Sequence, residues 1–234
     1  VPDKNIKNIN GHPLLAYSIN AALKSGIFED IVVCTDSSEY AKIASYYGAQ
    51  VPSLRPSSIS GNDSPDSDWV NWILKHEGLD YCRHKYAFIL RPTNPFRNHE
   101  TINRAYKTFL DSNADTLRAV RPVTEHPGKM WVKQQDSIVP LIPLSLSGIP
   151  FHSNQTNTLF EAFVQDASLE IFTIQTFLKS NSITGSKIVP FFARGREGFD
   201  INTPSDLELM YKIIQDESVK LQKIEQKNAT STKR

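Results

Sequence analysis

The feature that most constrains this chain is a repeated alternation of helical and strand patterns. Apolar residues at helical spacing over 13–24 are followed by the β-branched run IVVCTD at 31–36 and by a second helical pattern at 38–47. The later elements keep the same order: a helix through Trp69–Leu74, strand YAFIL at 86–90, a helix over 102–109 and strand DTLRAVRPV at 115–123. This order predicts an α/β fold with a mostly parallel sheet flanked by helices.

The alternation of helix and strand patterns is interrupted once, in a proline-containing stretch over 124–165. Strand patterns LEIFTI and KIVPFF then return, and a last helix begins at Pro204 with Thr203 as its N-cap. We therefore predict a single domain over 1–220, with 124–165 as an insertion, and a polar, disordered tail over 221–234.

Composition excludes several classes of function. The formal net charge is +1, from 26 basic and 25 acidic residues, which gives no electrostatic argument for binding nucleic acid or an anionic membrane. No stretch reaches the roughly 18 apolar residues of a membrane-spanning helix. Cys34 and Cys82 lack metal-ligand spacing and are too few for a disulfide framework. We expect a cytoplasmic protein without nucleic-acid or membrane partners.

Ligands of open α/β sheets bind beyond the carboxyl ends of the strands, and three loops lie there. The loop TDSSE contains Asp36 and Ser37, for which a helix N-cap is the simpler explanation. The loop RPTNPFR at 91–97 has two arginines, which suit phosphate or carboxylate, and two prolines that stiffen it.

The third loop, REGFDINTPSD, places Asp200 and Asn202 two residues apart. In an extended segment both side chains point to one side, where two oxygen ligands would suit Mg²⁺. A strand end that leads into a helix cap would explain Thr203 and Asp206, but not Asp200.

Taken together, these segments resemble one family. The chain is similar to the CMP-N-acylneuraminate synthetases, cytidylyltransferases that activate sialic acids and related 2-keto sugar acids. Six segments carry the likeness in order: PDKNIKNINGHPLLAYSI, VVCTDSSEYAKIASYYGA, LRPSSISGNDSPDSDWV, ILRPTNPFRN, HPGKMW and FDINTPSDL.

The resemblance implies a Rossmann-like nucleotidyltransferase fold. It also implies that CTP and a sialic-acid-like 2-keto sugar acid give CMP-sugar and pyrophosphate, for surface glycan synthesis. By this resemblance Lys4 and Asn5 contact the triphosphate, with Lys4 and Asp200 catalytic, and Asp36 lies on the nucleotide side. Arg55 and Ser67 fall where cytosine is recognised.

The same resemblance implies a sugar side and a Mg²⁺ site. The sugar-side residues are Arg91, Thr93, Asn94, Arg97 and Lys129. Asp200 and Asn202 match paired aspartates for the metal. The family also implies a homodimer formed through the insertion, with which the apolar stretch VPLIPLSLSGIPF at 139–151 is compatible.

Two positions and one segment depart from the family pattern. Position 202 is Asn where a second carboxylate is general, Arg91 replaces the more usual Gln, and residues 156–168 lack the Arg-Gln and Asn-Gly-Ala features of sialic acid enzymes. These departures indicate a different sugar, or a different nucleotide, on the same scaffold.

The family pattern also begins earlier than this sequence, with a hydrophobic strand and a phosphate-binding loop. We expect a truncation of about 15 residues, judged from typical strand and loop lengths. A catalytically impaired module that binds nucleotide or sugar is therefore the alternative to an active enzyme.

Overall fold

The computed structural model of the protein describes residues 1–61, 63–76, 80–216 and 219–224, and of Ala167 only the backbone. Within these ranges six α-helices are present: α1 Leu14–Ser25, α2 Ser38–Tyr46, α3 Asp66–Leu74, α4 His99–Ser112, α5 Ile174–Ser180 and α6 Pro204–Gln215. The described strands are β1 Asn8–Ile9, β2 His12–Pro13, β3 Tyr86–Leu90, β4 Thr116–Pro122, β5 Trp131–Gln134, β6 Ser137–Pro140, β7 Ser145–Leu146, β8 Ile149–Pro150, β9 Phe163–Thr173 and β10 Ile188–Phe192. Each of these helices is too short or too polar to cross a membrane.

The chain divides into two compact units, residues 1–119 with 166–234 and residues 120–165. The segment predicted as an insertion lies within the second unit. The first unit holds the helices, and the α/β prediction is confirmed.

The central sheet has the strand order β10-β4-β9-β3. β3 and β9 pair antiparallel, with Tyr86 opposite Thr173 and Leu90 opposite Leu169. Strand alternation divides the side chains of β9 between two faces. Leu169 and Ile171 pack with Ala105 and Phe109 of α4 and with other apolar residues in a buried cluster.

Local sequence explains most helix boundaries. α1 ends at Gly26, whose φ of 69° is the left-handed conformation that glycine adopts without strain. Ser37 caps α2 by accepting a hydrogen bond from the Tyr40 N–H, as the N-cap explanation of the TDSSE loop predicts. Thr203 and Asp206 form a reciprocal capping box at the start of α6.

The strand predicted at 31–36 is wrong as an extended element. Val32 makes an isolated parallel bridge with Gln50, and backbone bonds join Val33 N to Gln50 O at 2.9 Å and Gln50 N to Ile31 O at 2.7 Å. A strand needs a longer ladder than these bonds provide, whatever the β propensity of its side chains.

The second unit contains two short hairpins. β5 pairs with β6 through a turn at which Gln135 has φ 49°, and β7 pairs with β8 through Ser147 and Gly148. The tail expected over 221–234 falls largely outside the described residues, which end at Ile224.

Candidate active site

The loop that follows β3 is a buried hub. Thr93, Asn94 and Arg97 have 9%, 0% and 0% of their surface exposed. Asn94 Oδ1 accepts from the Arg97 N–H at 3.0 Å, and Asn94 Nδ2 donates to the Glu197 carbonyl at 2.6 Å. The Ile201 N–H donates to the Thr93 carbonyl at 3.1 Å. The second and third predicted ligand-binding loops, 91–97 and 196–206, are therefore joined.

Arg97 lies inside this hub. Its Nη2 donates to Ser18 Oγ at 2.6 Å, and its Nη1 donates to the carbonyls of Arg91, at 3.2 Å, and of Ser168. Burial lowers the pKa of the guanidinium to about 9, against the opposing charges of Asp166 and Asp200. With these contacts Arg97 organises the loop, and a direct contact with sugar stays a prediction.

Arg91 stands at the carboxyl end of β3 and belongs to a charged network. Its guanidinium donates two bonds to Asp66, one of them 3.0 Å from Nη1 to Oδ1, and one to Glu170 Oε1 at 3.3 Å. Arg118 lies 2.7 Å from the other oxygen of Glu170. The network holds the Arg91 side chain in place at the carboxyl end of β3.

The network also sets the charge state of Asp66. Burial raises its pKa, but hydrogen bonds from Arg91 and Trp69 outweigh burial, so that the pKa of the Asp66 carboxyl is below its usual value. The sequence reasoning missed Asp66, Glu170 and Arg118. The available signal was a glutamate inside the apolar strand LEIFTI.

Lys4, Asp200 and Asn202 meet, although 197 positions separate Lys4 from Ile201. Lys4 Nζ donates to the Ile201 carbonyl at 2.8 Å and lies 3.4 Å from Asn202 Oδ1. Asn202 Nδ2 donates to Asp200 Oδ2 at 2.7 Å. Asp200 Oδ1 is buried and has no hydrogen-bond partner among the described residues. Asn202 thus links the ammonium group of Lys4 to the Asp200 carboxylate, which keeps one oxygen without a hydrogen bond in the described ranges.

Asp206 and Asn5 border this group. Asp206 Oδ2 accepts from the N–H groups of Asn202 and Thr203 at 3.0 and 2.7 Å. The bonds from Thr203, with the charge of Lys4, lower the pKa of Asp206. Asn5 follows Lys4 in a short 3₁₀ turn, and its Oδ1 is buried without a hydrogen-bond partner in the described part of the chain.

Two of the residues predicted for the nucleotide, Arg55 and Asp36, lie near each other. Arg55 Nη2 lies 4.0 Å from Asp36 Oδ1, and Arg55 Nε donates to Ser60 Oγ at 3.0 Å. Ser67 lies in the first turn of α3, beside Asp66. Cys34, close by in sequence, is a neutral thiol at physiological pH because burial raises its pKa to about 11.

Lys129 lies in the unit 120–165, in a short turn over Pro127–Lys129. Its Nζ donates to the carbonyls of His152, at 2.9 Å, and of Asn154. These bonds anchor the ammonium group within its own unit.

The described residues contain no group of three or more His, Cys, Asp or Glu side chains that could hold a metal ion. Mg²⁺ takes few protein ligands and completes its shell with water and phosphate oxygens. The unpartnered Oδ1 of Asp200 and the carbonyl oxygen of Asn202 fit that requirement.

The overall architecture has a counterpart among solved structures. A CMP:2-keto-3-deoxy-manno-octonic acid synthetase complexed with CTP matches with a TM-score of 0.63 at 10% identity, covering 93% of each chain. This likeness defines the class of fold as that of the α/β nucleotidyltransferases.

Sequence comparison gives the family. The cytidylyltransferase family model matches residues 1–136. CMP-N,N'-diacetyllegionaminic acid synthase of Legionella pneumophila is 30% identical over 92% of this chain and 90% of its own length. Pseudaminic acid cytidylyltransferase of Campylobacter jejuni is 24% identical, with 91% of each chain covered. The chain belongs to the cytidylyltransferase family and is a nucleotidyltransferase, which confirms the resemblance seen in the sequence.

Proposed function

We propose that the protein transfers a cytidylyl group from CTP to a sialic-acid-like nonulosonic acid, giving CMP-sugar and pyrophosphate. The observation that carries this proposal is the meeting of Lys4 with Asp200 and Asn202 beside the loop after β3. Support comes from relatives whose names specify legionaminic and pseudaminic acid.

In the proposed reaction the anomeric hydroxyl of the sugar acid attacks the α-phosphorus of CTP. A bond forms between this oxygen and the α-phosphorus, and the bond from the α-phosphorus to the oxygen shared with the β-phosphate breaks. Pyrophosphate leaves, and the hydroxyl proton passes to solvent. Phosphoryl transfer of this kind depends chiefly on positioning and charge neutralisation. Lys4, with Asn5, would hold the triphosphate, because an ammonium and an amide at a loop suit phosphate oxygens.

Mg²⁺ would be held by Asp200 and the side-chain oxygen of Asn202. The cation would neutralise charge that develops on the departing pyrophosphate. Asn202 adds an oxygen but no charge, so Asp200 would carry most of the protein's share of the binding. Lys4 now bonds to Asn202 and would turn to the phosphates when CTP enters.

The remaining predicted residues would divide between base and sugar. Arg55, whose Nη2 lies 4.0 Å from Asp36 Oδ1, would face cytosine together with Ser67. Arg91, fixed by Asp66 and Glu170, would present its remaining edge to the sugar acid, with Thr93, Asn94 and Arg97 shaping the loop around it. The sugar-side role of Lys129 stays a prediction from the family resemblance.

A homodimer formed through residues 120–165 is also proposed. This unit exposes apolar side chains that are more than 40% accessible: Trp131, Val132, Ile138, Leu141, Leu144, Leu146, Ile149, Phe160 and Phe163. Apolar surface of this extent is typical of an interface with another protein chain. A cytoplasmic location stays a prediction.

The test is pyrophosphate release by the full gene product with Mg²⁺, CTP and a panel of 2-keto sugar acids. We expect turnover with CTP and at least one nonulosonic acid, and a loss of at least about a hundredfold in Asp200→Ala. A preference for another nucleoside triphosphate would support the different-nucleotide alternative. Binding of CTP or sugar without turnover by any of the four triphosphates would overturn the enzymatic proposal in favour of a binding module.

A further inference from the structure

One face of the central strand β9 is polar although it is buried. Asp166, Ser168 and Glu170 alternate along the strand and have 5%, 1% and 1% of their surface exposed. Alternate residues of a strand share a face, so these three side chains form a stripe. A buried polar stripe has to be matched by partners, because burial of unpaired charge is costly.

Arg97 contacts β9 at Ser168, the middle residue of this stripe. The guanidinium is completely buried, and its Nη1 reaches the Ser168 carbonyl. The charges of Asp166 and Asp200 act on this guanidinium and oppose the lowering of its pKa by burial.

Asp166 is held on one side only. Its Oδ1 accepts from the Ser168 N–H at 2.9 Å and from Ser168 Oγ at 2.7 Å. Its Oδ2 is buried and has no hydrogen-bond partner in the described ranges. Asp200 has the same property, since its Oδ2 accepts from Asn202 while Oδ1 has no such partner there.

Gly198 brings Asp166 close to the loop that carries Asp200. A Cβ atom at Gly198 would lie 2.6 Å from Asp166 Oδ2, so the Asp166 carboxylate would have to move if any other residue stood there. The absence of a Cβ thus lets the Asp166 carboxylate pack directly against the backbone two residues before Asp200. Asn94 fixes the same loop through the Glu197 carbonyl.

We propose that Asp166 is a positioning residue for the loop that carries Asp200, and that it supplies the buried negative charge that Asn202 does not provide. Its carboxylate packs against the backbone of that loop at Gly198, with one oxygen that has no hydrogen-bond partner in the described ranges. This inference rests on the metal role given to Asp200 in the proposed function.

The test is Mn²⁺ binding to the full gene product without CTP or sugar, measured by electron paramagnetic resonance of the free ion. Asp166→Asn keeps the shape of the side chain and removes its charge. Substitution of a residue that positions a metal ligand typically changes metal affinity 10- to 100-fold. We therefore expect Asp166→Asn to bind Mn²⁺ at least about tenfold more weakly. Ser168→Ala removes one hydrogen bond to Asp166 and should weaken binding about twofold to threefold.

Controls separate the possible failures. Asp30→Asn changes a carboxylate that is paired with Arg83 and His84, and we expect it to leave Mn²⁺ affinity unchanged. If Asp200→Asn weakens Mn²⁺ binding while Asp166→Asn and Ser168→Ala bind it as the wild type does, the positioning inference is wrong. If Asp200→Asn has no effect, the metal role of Asp200 is wrong. Should Asp166→Asn not fold, Ser168→Ala alone decides, and unchanged affinity counts against the inference.

Discussion

At the scale of single residues, the network around Arg91 makes the stability of the fold depend on pH. Asp66 is ionised in the folded protein because Arg91 and Trp69 donate to it, and its pKa is lowered. Its contribution to stability is therefore present above the unfolded pKa of about 4 and is lost as pH falls through the lower folded pKa. The pKa of Glu197, which accepts hydrogen bonds from Arg104 and Thr101, is lowered as well. Its contribution to stability is therefore also lost as the pH falls.

We predict that Asp66→Asn lowers the free energy of unfolding by about 1–2 kcal/mol at pH 7, as expected for a lost hydrogen bond to a charged group. Urea unfolding between pH 7 and pH 3 should show a smaller loss on acidification in this variant than in the wild type. Asp111→Asn is the matched control, since its carboxylate is paired with Lys107 but is 65% exposed. An equal acid response in Asp66→Asn and wild type would contradict the prediction.

At the scale of elements, α6 begins where the candidate site ends. Thr203 Oγ1 accepts from the Asp206 N–H at 3.2 Å, and Asp206 Oδ2 accepts from the Thr203 N–H at 2.7 Å. The box satisfies helix N–H groups that would otherwise have no partner. It also fixes the start of α6 immediately after Asn202.

We predict that Thr203→Ala costs about 1 kcal/mol of stability, the usual effect of removing an N-cap. Thr203→Ser keeps the hydroxyl and should retain most of the wild-type stability. Thermal unfolding of the three proteins measures the difference. A destabilisation as large in Thr203→Ser as in Thr203→Ala would show that the methyl group, rather than the cap, matters.

The segment 31–36 shows where element prediction from side chains fails. IVVCTD has the β-branched pattern of a buried strand, yet its described pairing is the bridge of Val32 with Gln50. Strand formation depends on a neighbouring backbone, which a local pattern does not contain. α1, by contrast, closes its own hydrogen bonds and is capped by Gly26.

At the scale of the whole molecule, the exposed apolar surface of the second unit predicts that the protein assembles. Ile138 on β6 is 61% exposed within an apolar surface that a second copy would cover. We predict that light scattering gives a dimer mass for the wild type and that Ile138→Lys shifts the protein towards monomer, because a buried ammonium is costly.

Leu110→Lys is the matched control, because Leu110 is an exposed leucine of α4 in the first unit, 47% accessible. It should remain dimeric. Dissociation by both substitutions, or a monomeric wild type, would contradict an interface at residues 120–165.

The sequence by itself determined the helices, their caps and the loops that carry the candidate site, because these depend on neighbouring residues. It also identified the family through segments spread along the chain. Only the tertiary structure decided that Arg97 is buried, that Arg91 is held between Asp66 and Glu170, and that Lys4 reaches Asn202. The physical reason is distance along the chain: charges far apart in sequence meet only when the sheet brings their strands and loops together.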